Sequence, residues 1–151
     1  MRAPLEAALE AVALRLHAAG VPFLLGGSAL LDALGLGVEV RDVDLMLRPG
    51  DRAAFTDACA DWLVSVTTEP GEVLSSDWKA TLDVDGVEVE GLGGLAVRGH
   101  AATPFRAAGS RRYGAADVPL CDPVVWLELY RVYKPEKALL LDRLLRLGGD
   151  G

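Results

Sequence analysis

Apolar residues recur along this chain with two different periods, and the switches between them mark its elements. Leu5, Ala8, Leu9, Val12 and Leu16 fall at helical spacing, and Gly20 follows as a natural stop. Val21 to Leu25 is short and wholly apolar, which predicts a buried strand. Ser28 is placed to cap a second helix, ALLDALGL, that ends near Gly35 or Gly37. Val38 to Leu47 predicts the next strand, closed by Pro49-Gly50. Asp51 is placed to cap a helix that lines up Phe55, Cys59 and Trp62 on one face. LVSVT predicts a further strand, and Glu69 to Ser76 a loop.

The clearest period-2 pattern is WKATLDVDGVEVEG. Trp78, Ala80, Leu82 and Val84 share one face, and Lys79, Thr81 and Asp83 share the other. Asp85-Gly86 predicts a hairpin turn, because both residues tolerate positive φ, and Val87 and Val89 carry the apolar face back. Asp122-Pro123 predicts a helix start, with Asp as N-cap and Pro in the first helical position. That helix runs to about Tyr133, and another runs from Pro135 to Gly148-Gly149. The order is helix, strand, helix, strand, helix, strand, hairpin, then helices. It predicts a mixed α/β (α+β) domain over residues 1–151, with an α/β core over 1–116 and C-terminal helices over 117–151.

Composition narrows the classes. The chain is 151 residues long and 51% hydrophobic, enough for a sizeable core. It has no apolar run of the ~20 residues that a membrane span needs, and charged residues interrupt its first helix, so a cytoplasmic protein without a membrane partner is expected. Cys59 and Cys121 have no metal-ligand spacing and are read as small buried hydrophobes. The net charge of −7 argues against general DNA binding. Charge is unevenly spread: Gly91 to Ala116 contains no acid but holds Arg98, Arg106, Arg111 and Arg112. These arginines could meet a triphosphate or an acidic acceptor, or be ordinary surface charge. Tyr130, Lys134 and Lys137 could face a substrate, with a solvated helix face as the plainer account. Trp62, Trp78 and Trp126 sit in apolar patterns and are assigned to packing.

Two stretches carry chemistry. Asp42 and Asp44 alternate with Val43, Leu45 and Leu47, so in a strand the two carboxylates share the side away from the core. Paired carboxylates near apolar sequence repel, and a cation would relieve the cost. Oxygen-only ligands suit Mg²⁺ or Mn²⁺. The plain alternative is a solvated strand face. Upstream, Gly26, Gly27 and Ser28 join a strand end to a helix start, where backbone can approach an anion closely. The plain alternative there is a tight turn.

Together, LLGGSALLDALG and RDVDLML resemble the signature of the nucleotidyltransferase superfamily with the DNA-polymerase-β-like fold. The likeness is greatest to its minimal members and to the antibiotic nucleotidyltransferases. It covers Val21 to Leu47 well, extends loosely to Leu95, and beyond that rests only on helicity. The resemblance implies a mixed sheet flanked by helices with a C-terminal helical tail. It implies that Asp42 and Asp44 bind magnesium or manganese, and that Gly26, Gly27 and Ser28 bind a nucleoside triphosphate, with ATP favoured. It also implies a third, metal-binding and catalytic carboxylate on a later strand. Glu90 is the first candidate and Glu88 the second, and Gly91, Gly93 and Gly94 are expected to leave space beside it. The family usually has Asp here, and a Glu would move the carboxylate or the metal. Arg98, Arg111 and Arg112 are second-tier candidates, and Arg41 receives no role.

The activity implied is transfer of a nucleoside monophosphate, AMP in first place, to a hydroxyl on a small molecule, a protein or an RNA end. The competing expectation is a non-catalytic or regulatory protein on the same fold, such as a toxin–antitoxin component that binds a partner protein. A domain this small leaves room for a second subunit or a partner protein to complete an acceptor site.

Overall fold

A computed structural model describes residues 1–149 of the chain, so the last two residues of the expected domain lie outside it. The helix expected at the start is α1 (Ala3–Ala19), whose buried face is Leu5, Ala8, Leu9, Val12, Ala13 and Leu16. Gly20 closes it at φ +70°, and the Val21 amide donates back to the Leu16 carbonyl at 3.0 Å. That bond holds Val21 in the helix end, and Pro22 has no N–H to pair. Strand β1 is therefore shorter than expected and shifted to Leu24–Gly26.

Helix α2 (Gly27–Ala33) follows with Gly26 as N-cap and no side-chain cap, so Ser28 does not have the capping role expected of it. Strand β2 covers only Val43–Leu47, because its neighbour β1 reaches no farther than Gly26 opposite Asp44. A 3₁₀ turn (Pro49–Asp51) leads into α3 (Arg52–Ala58). The Asp51 carboxylate accepts from Arg48 Nε at 2.9 Å and does not cap the helix.

Strand β3 (Leu63–Thr67) is present as expected. The expected loop after it contains a short strand, β4 (Leu74–Ser75). The hairpin is β5 (Trp78–Val84) and β6 (Val87–Gly93), turning on Asp85 at φ 52° and Gly86 at φ 86°. Three further strands were not anticipated: β7 (Ala96–Val97), β8 (Ala107–Tyr113) and β9 (Ala116–Cys121). Strand β8 lies at a sheet edge and is exposed along all but Tyr113, so it carries no apolar alternation to read. Strand β9 does alternate, but Pro119 breaks the signal, and its strand crosses the division at residue 116. Helices α4 (Pro123–Tyr133) and α5 (Pro135–Gly149) complete the described chain. Asp122 caps α4 through a 3.0 Å bond from the Val124 amide, as expected.

The main sheet has the order β3-β5-β6-β2-β1-β9-β8, with β2–β6 and β1–β9 parallel and the other pairs antiparallel. Helices flank it, giving the mixed α/β architecture that the pattern predicted. β4 and β7 form a separate two-stranded sheet. One face of the main sheet carries Val43, Leu45 and Leu47, backed by Phe55 of α3. A Cβ on Gly91 would lie 2.7 Å from the Phe55 ring, and one on Gly93 would fall within the Trp78 ring. These glycines make room for core aromatics, not for an acceptor as expected. The opposite face carries Met46 under Trp126 of α4, whose Nε1 lies 3.2 Å from Met46 Sδ. Both cysteines are buried and free, as expected. Among the described residues no helix is long and apolar enough to cross a membrane.

Candidate active site

Strands β2 and β6 run parallel, with Val43 beside Val89 and Asp44 beside Glu90. This register places alternate residues of both strands on the face that α4 covers. Asp44 and Glu90 face it from the strands, and Asp42 joins them from the residue just before β2. One carboxylate oxygen from each of Asp42, Asp44 and Glu90 lies within 4.8 Å of the others. The structure thus brings together the aspartate pair and the first candidate for the third acid.

Glu88 is exposed at the edge of the same cluster. Its pKa is raised, first by desolvation and then by Glu90 and Asp42. It borders the three and is not one of them.

Asp44 is the electrostatic centre. Its pKa is pushed up to about 7, first by burial, then by the charges of Asp42 and Glu90. Lys79 and Lys134 pull in the other direction. Lys79 Nζ stands 3.3 Å from Glu90 Oε1, reaching across from β5. Lys134 and Lys137, at the joint between α4 and α5, sit over the rings of Tyr133 and Tyr130, at 5.5 and 5.7 Å. The Lys137 ammonium is disfavoured, first by burial and then by Lys134.

The glycine turn meets the same cluster. Gly27 has φ +60°, and a Cβ there would lie 2.5 Å from Asp44 Oδ2. A Cβ on Gly26 would lie 2.5 Å from the Trp126 ring. Each glycine therefore seats a side chain of this protein, which a tight-turn reading also requires. Ser28 is half-buried in the first turn of α2.

A cleft of about 420 Å³ opens from Asp44 and Glu90. Leu92, Leu95, Trp126 and Tyr133 form its apolar side, and Lys79, Ser75 and Ser76 its polar side. Trp126 therefore serves both core and cleft. Residues 69–71 form a rim that Arg98 holds, its guanidinium donating to the Gly71 carbonyl at 3.4 Å and its amide to the neighbouring Val73 carbonyl at 2.7 Å. Arg98 thus stands behind the cleft wall.

The other arginines of the acid-free stretch take local partners. Arg106 pairs with Asp122 at 2.7 Å, Arg112 with Asp117 at 3.1 Å, and Arg111 donates to the Ala33 carbonyl at 3.2 Å. Arg111 and Arg112 lie on β8, three strands from β2.

Sequence reasoning missed Lys79 as a cleft residue. The alternation of β5 put it on the polar face, but only the pairing with β6 places that face beside Glu90. The donor set suits a hard divalent cation: three carboxylates crowded enough to raise one pKa, with no soft ligand among them.

No family model matches the sequence, and no curated protein matches it. Solved structures do match. One is a Thermotoga maritima protein described provisionally as a nucleotidyltransferase, at TM-score 0.74 and 21% identity over 97% of this chain and 96% of that one. The antibiotic-resistance factor ANT(2″)-Ia in solution matches at TM-score 0.65 and 12% identity, over 99% of this chain and 88% of that one. The crystal structure of ANT(2″)-Ia with adenylyl-2″-tobramycin matches at TM-score 0.61 and 11% identity, over 96% and 90%. The chain has the nucleotidyltransferase fold.

Proposed function

We propose that this protein is a metal-dependent nucleotidyltransferase that moves a nucleoside monophosphate from a nucleoside triphosphate to an acceptor hydroxyl. The observation that carries the reading is the convergence of Asp42, Asp44 and Glu90 at the mouth of the cleft, with Gly27 packed against Asp44. AMP is the favoured group, because a fold relative is seen with an adenylylated product.

A divalent cation held by Asp42, Asp44 and Glu90 would neutralise phosphate charge and acidify the attacking hydroxyl. The chain's own groups do the rest. Lys134 and Lys137 present ammonium groups to the polyphosphate, and the Gly26–Ser28 turn lets backbone approach it. Glu90 orients the acceptor hydroxyl and takes its proton. The hydroxyl oxygen bonds to the α-phosphorus as the bond to the bridging oxygen breaks, and pyrophosphate leaves. Trp126 and Tyr133 offer flat surface to a base or a ring of the acceptor. Catalysis of this kind is mostly positioning and charge stabilisation.

The test is incubation with each α-labelled nucleoside triphosphate, Mg²⁺ or Mn²⁺, and cell extract. Label transferred by the wild type and not by Asp42→Asn or Asp44→Asn supports the reading. Metal-dependent nucleotide binding with no transfer to any acceptor would leave the binding-only, regulatory reading in its place.

A further inference from the structure

We infer that Lys79 is a resident counter-cation of the carboxylate cluster, one that holds free divalent metal at low affinity until a polyphosphate arrives with it. The inference rests on the reading of Asp42, Asp44 and Glu90 as metal ligands. Lys79 is the ammonium group in ion-pair contact with that cluster, at 3.3 Å from Glu90, and its side chain remains 42% exposed. It comes from β5, where it shares a face with Thr81, the direct cross-strand partner of Glu90. Its backbone is fixed by pairing to both β3 and β6.

Glu90 does not need Lys79 to hold its place. It lies on an inner strand, in register with Asp44 on one side and Thr81 on the other. The effect of Lys79 on the cluster is therefore chiefly charge. An ammonium beside Glu90 lowers the negative potential that would otherwise attract a bare cation. A metal already carrying a nucleoside triphosphate brings its own anions, and these find Lys134 and Lys137 at the α4–α5 joint, as well as Lys79 itself. Lys79 thus sets an order of arrival, with metal entering as the metal–nucleotide complex.

The experiment is titration of the whole chain with Mn²⁺, without nucleotide, followed by paramagnetic resonance of free Mn²⁺ and by thermal unfolding. Lys79→Met keeps the aliphatic stem and removes the charge. It should bind Mn²⁺ roughly tenfold more tightly than wild type. It should also melt lower in chelator and gain more from Mn²⁺. Lys79→Arg should behave as wild type. In a Glu90→Gln background the effect of Lys79→Met on Mn²⁺ affinity should shrink, because the two charges act on one another. Equal or weaker Mn²⁺ binding by Lys79→Met overturns the inference and leaves the metal reading intact. Failure of wild type and Lys79→Met alike to bind Mn²⁺ overturns the inference, and failure of both to bind it when a nucleoside triphosphate is added as well overturns the metal reading too.

Discussion

The acid cluster on β2 and β6 and the arginines on and beside β8 are two concentrations of charge in this molecule, and they are built in opposite ways. At the sheet edge each charge has a local answer: Arg106 has Asp122, Arg112 has Asp117, and Arg111 has a helix-end carbonyl. At the sheet centre three carboxylates face one another, and one lysine touches them. Charges answered locally on a solvated edge contribute little to stability and ask for no ligand. Like charges crowded on a half-buried face cost stability, and that cost persists only where something else requires it. The contrast separates surface from site more sharply than the sign of the charge does.

The comparison breaks most decisively at the centre. Asp44→Asn and Asp42→Asn should each abolish metal-dependent nucleotide binding, beyond the roughly 10–100-fold that losing a supporting group alone costs. Asp44→Asn should also stabilise the fold at pH 8. The Asp44 pKa is pushed up to about 7, above its unfolded value, so the folded state holds its proton longer. Stability from this group is fully present below about pH 4 and is lost as pH rises through about 7. Removing the charge should recover stability on the order of 2 kcal/mol at pH 8, measured by denaturant melts across that window. A wild-type stability that rises steadily between pH 4 and 7, with Asp44→Asn unchanged in slope, would contradict the assignment.

Gly27→Val comes next. It puts a branched Cβ against Asp44 Oδ2 at a backbone φ of +60°. It should cost about 1–3 kcal/mol of stability and most of the nucleotide affinity, read from melting and titration of the same sample. Lys134→Met and Lys137→Met should each weaken nucleotide binding by roughly tenfold while leaving nucleotide-free stability nearly unchanged. Ser28→Ala removes one hydrogen-bonding group and should cost no more than roughly 0.5–1.5 kcal/mol of binding. Arg112→Ala should be the smallest change, with nucleotide affinity unaltered and stability within about 0.5 kcal/mol. A large loss of nucleotide affinity in Arg112→Ala would erase the distinction between edge and centre.

Much of this arrangement was legible in the order of residues. The Asp-x-Asp alternation, the β5–β6 hairpin and the caps at Gly20 and Asp122 are local facts, written within a few residues of where they act. Glu90 outranked Glu88 on its position in the return strand, and the parallel register of β2 with β6 sets it beside Asp44. What escaped was non-local. The role of Lys79 depends on which strand lies beside β5, and the glycines after Glu90 answer to Phe55 and Trp78, which are distant in sequence. Strand β9 escaped because Pro119 interrupts its alternation and its hairpin partner β8 is an exposed edge strand with no apolar pattern of its own. The arginines looked like one patch in sequence, and only their individual partners divide it.

Strand β1 has one more consequence, and it concerns time. Leu25 pairs with Leu45 on one side and with Leu120 on the other. Only the first of these neighbours is close in the chain, and closing the second requires a long loop. The β5–β6 hairpin, by contrast, needs only its own turn. Folding should therefore begin at the hairpin and finish at β1, so that the Gly26–Gly27 turn and the seat of Asp44 are among the last parts to become native. Leu82→Ala should then slow refolding, whereas Leu120→Ala should mainly hasten unfolding. The part of the molecule that carries the chemistry would be the part that the growing chain acquires last.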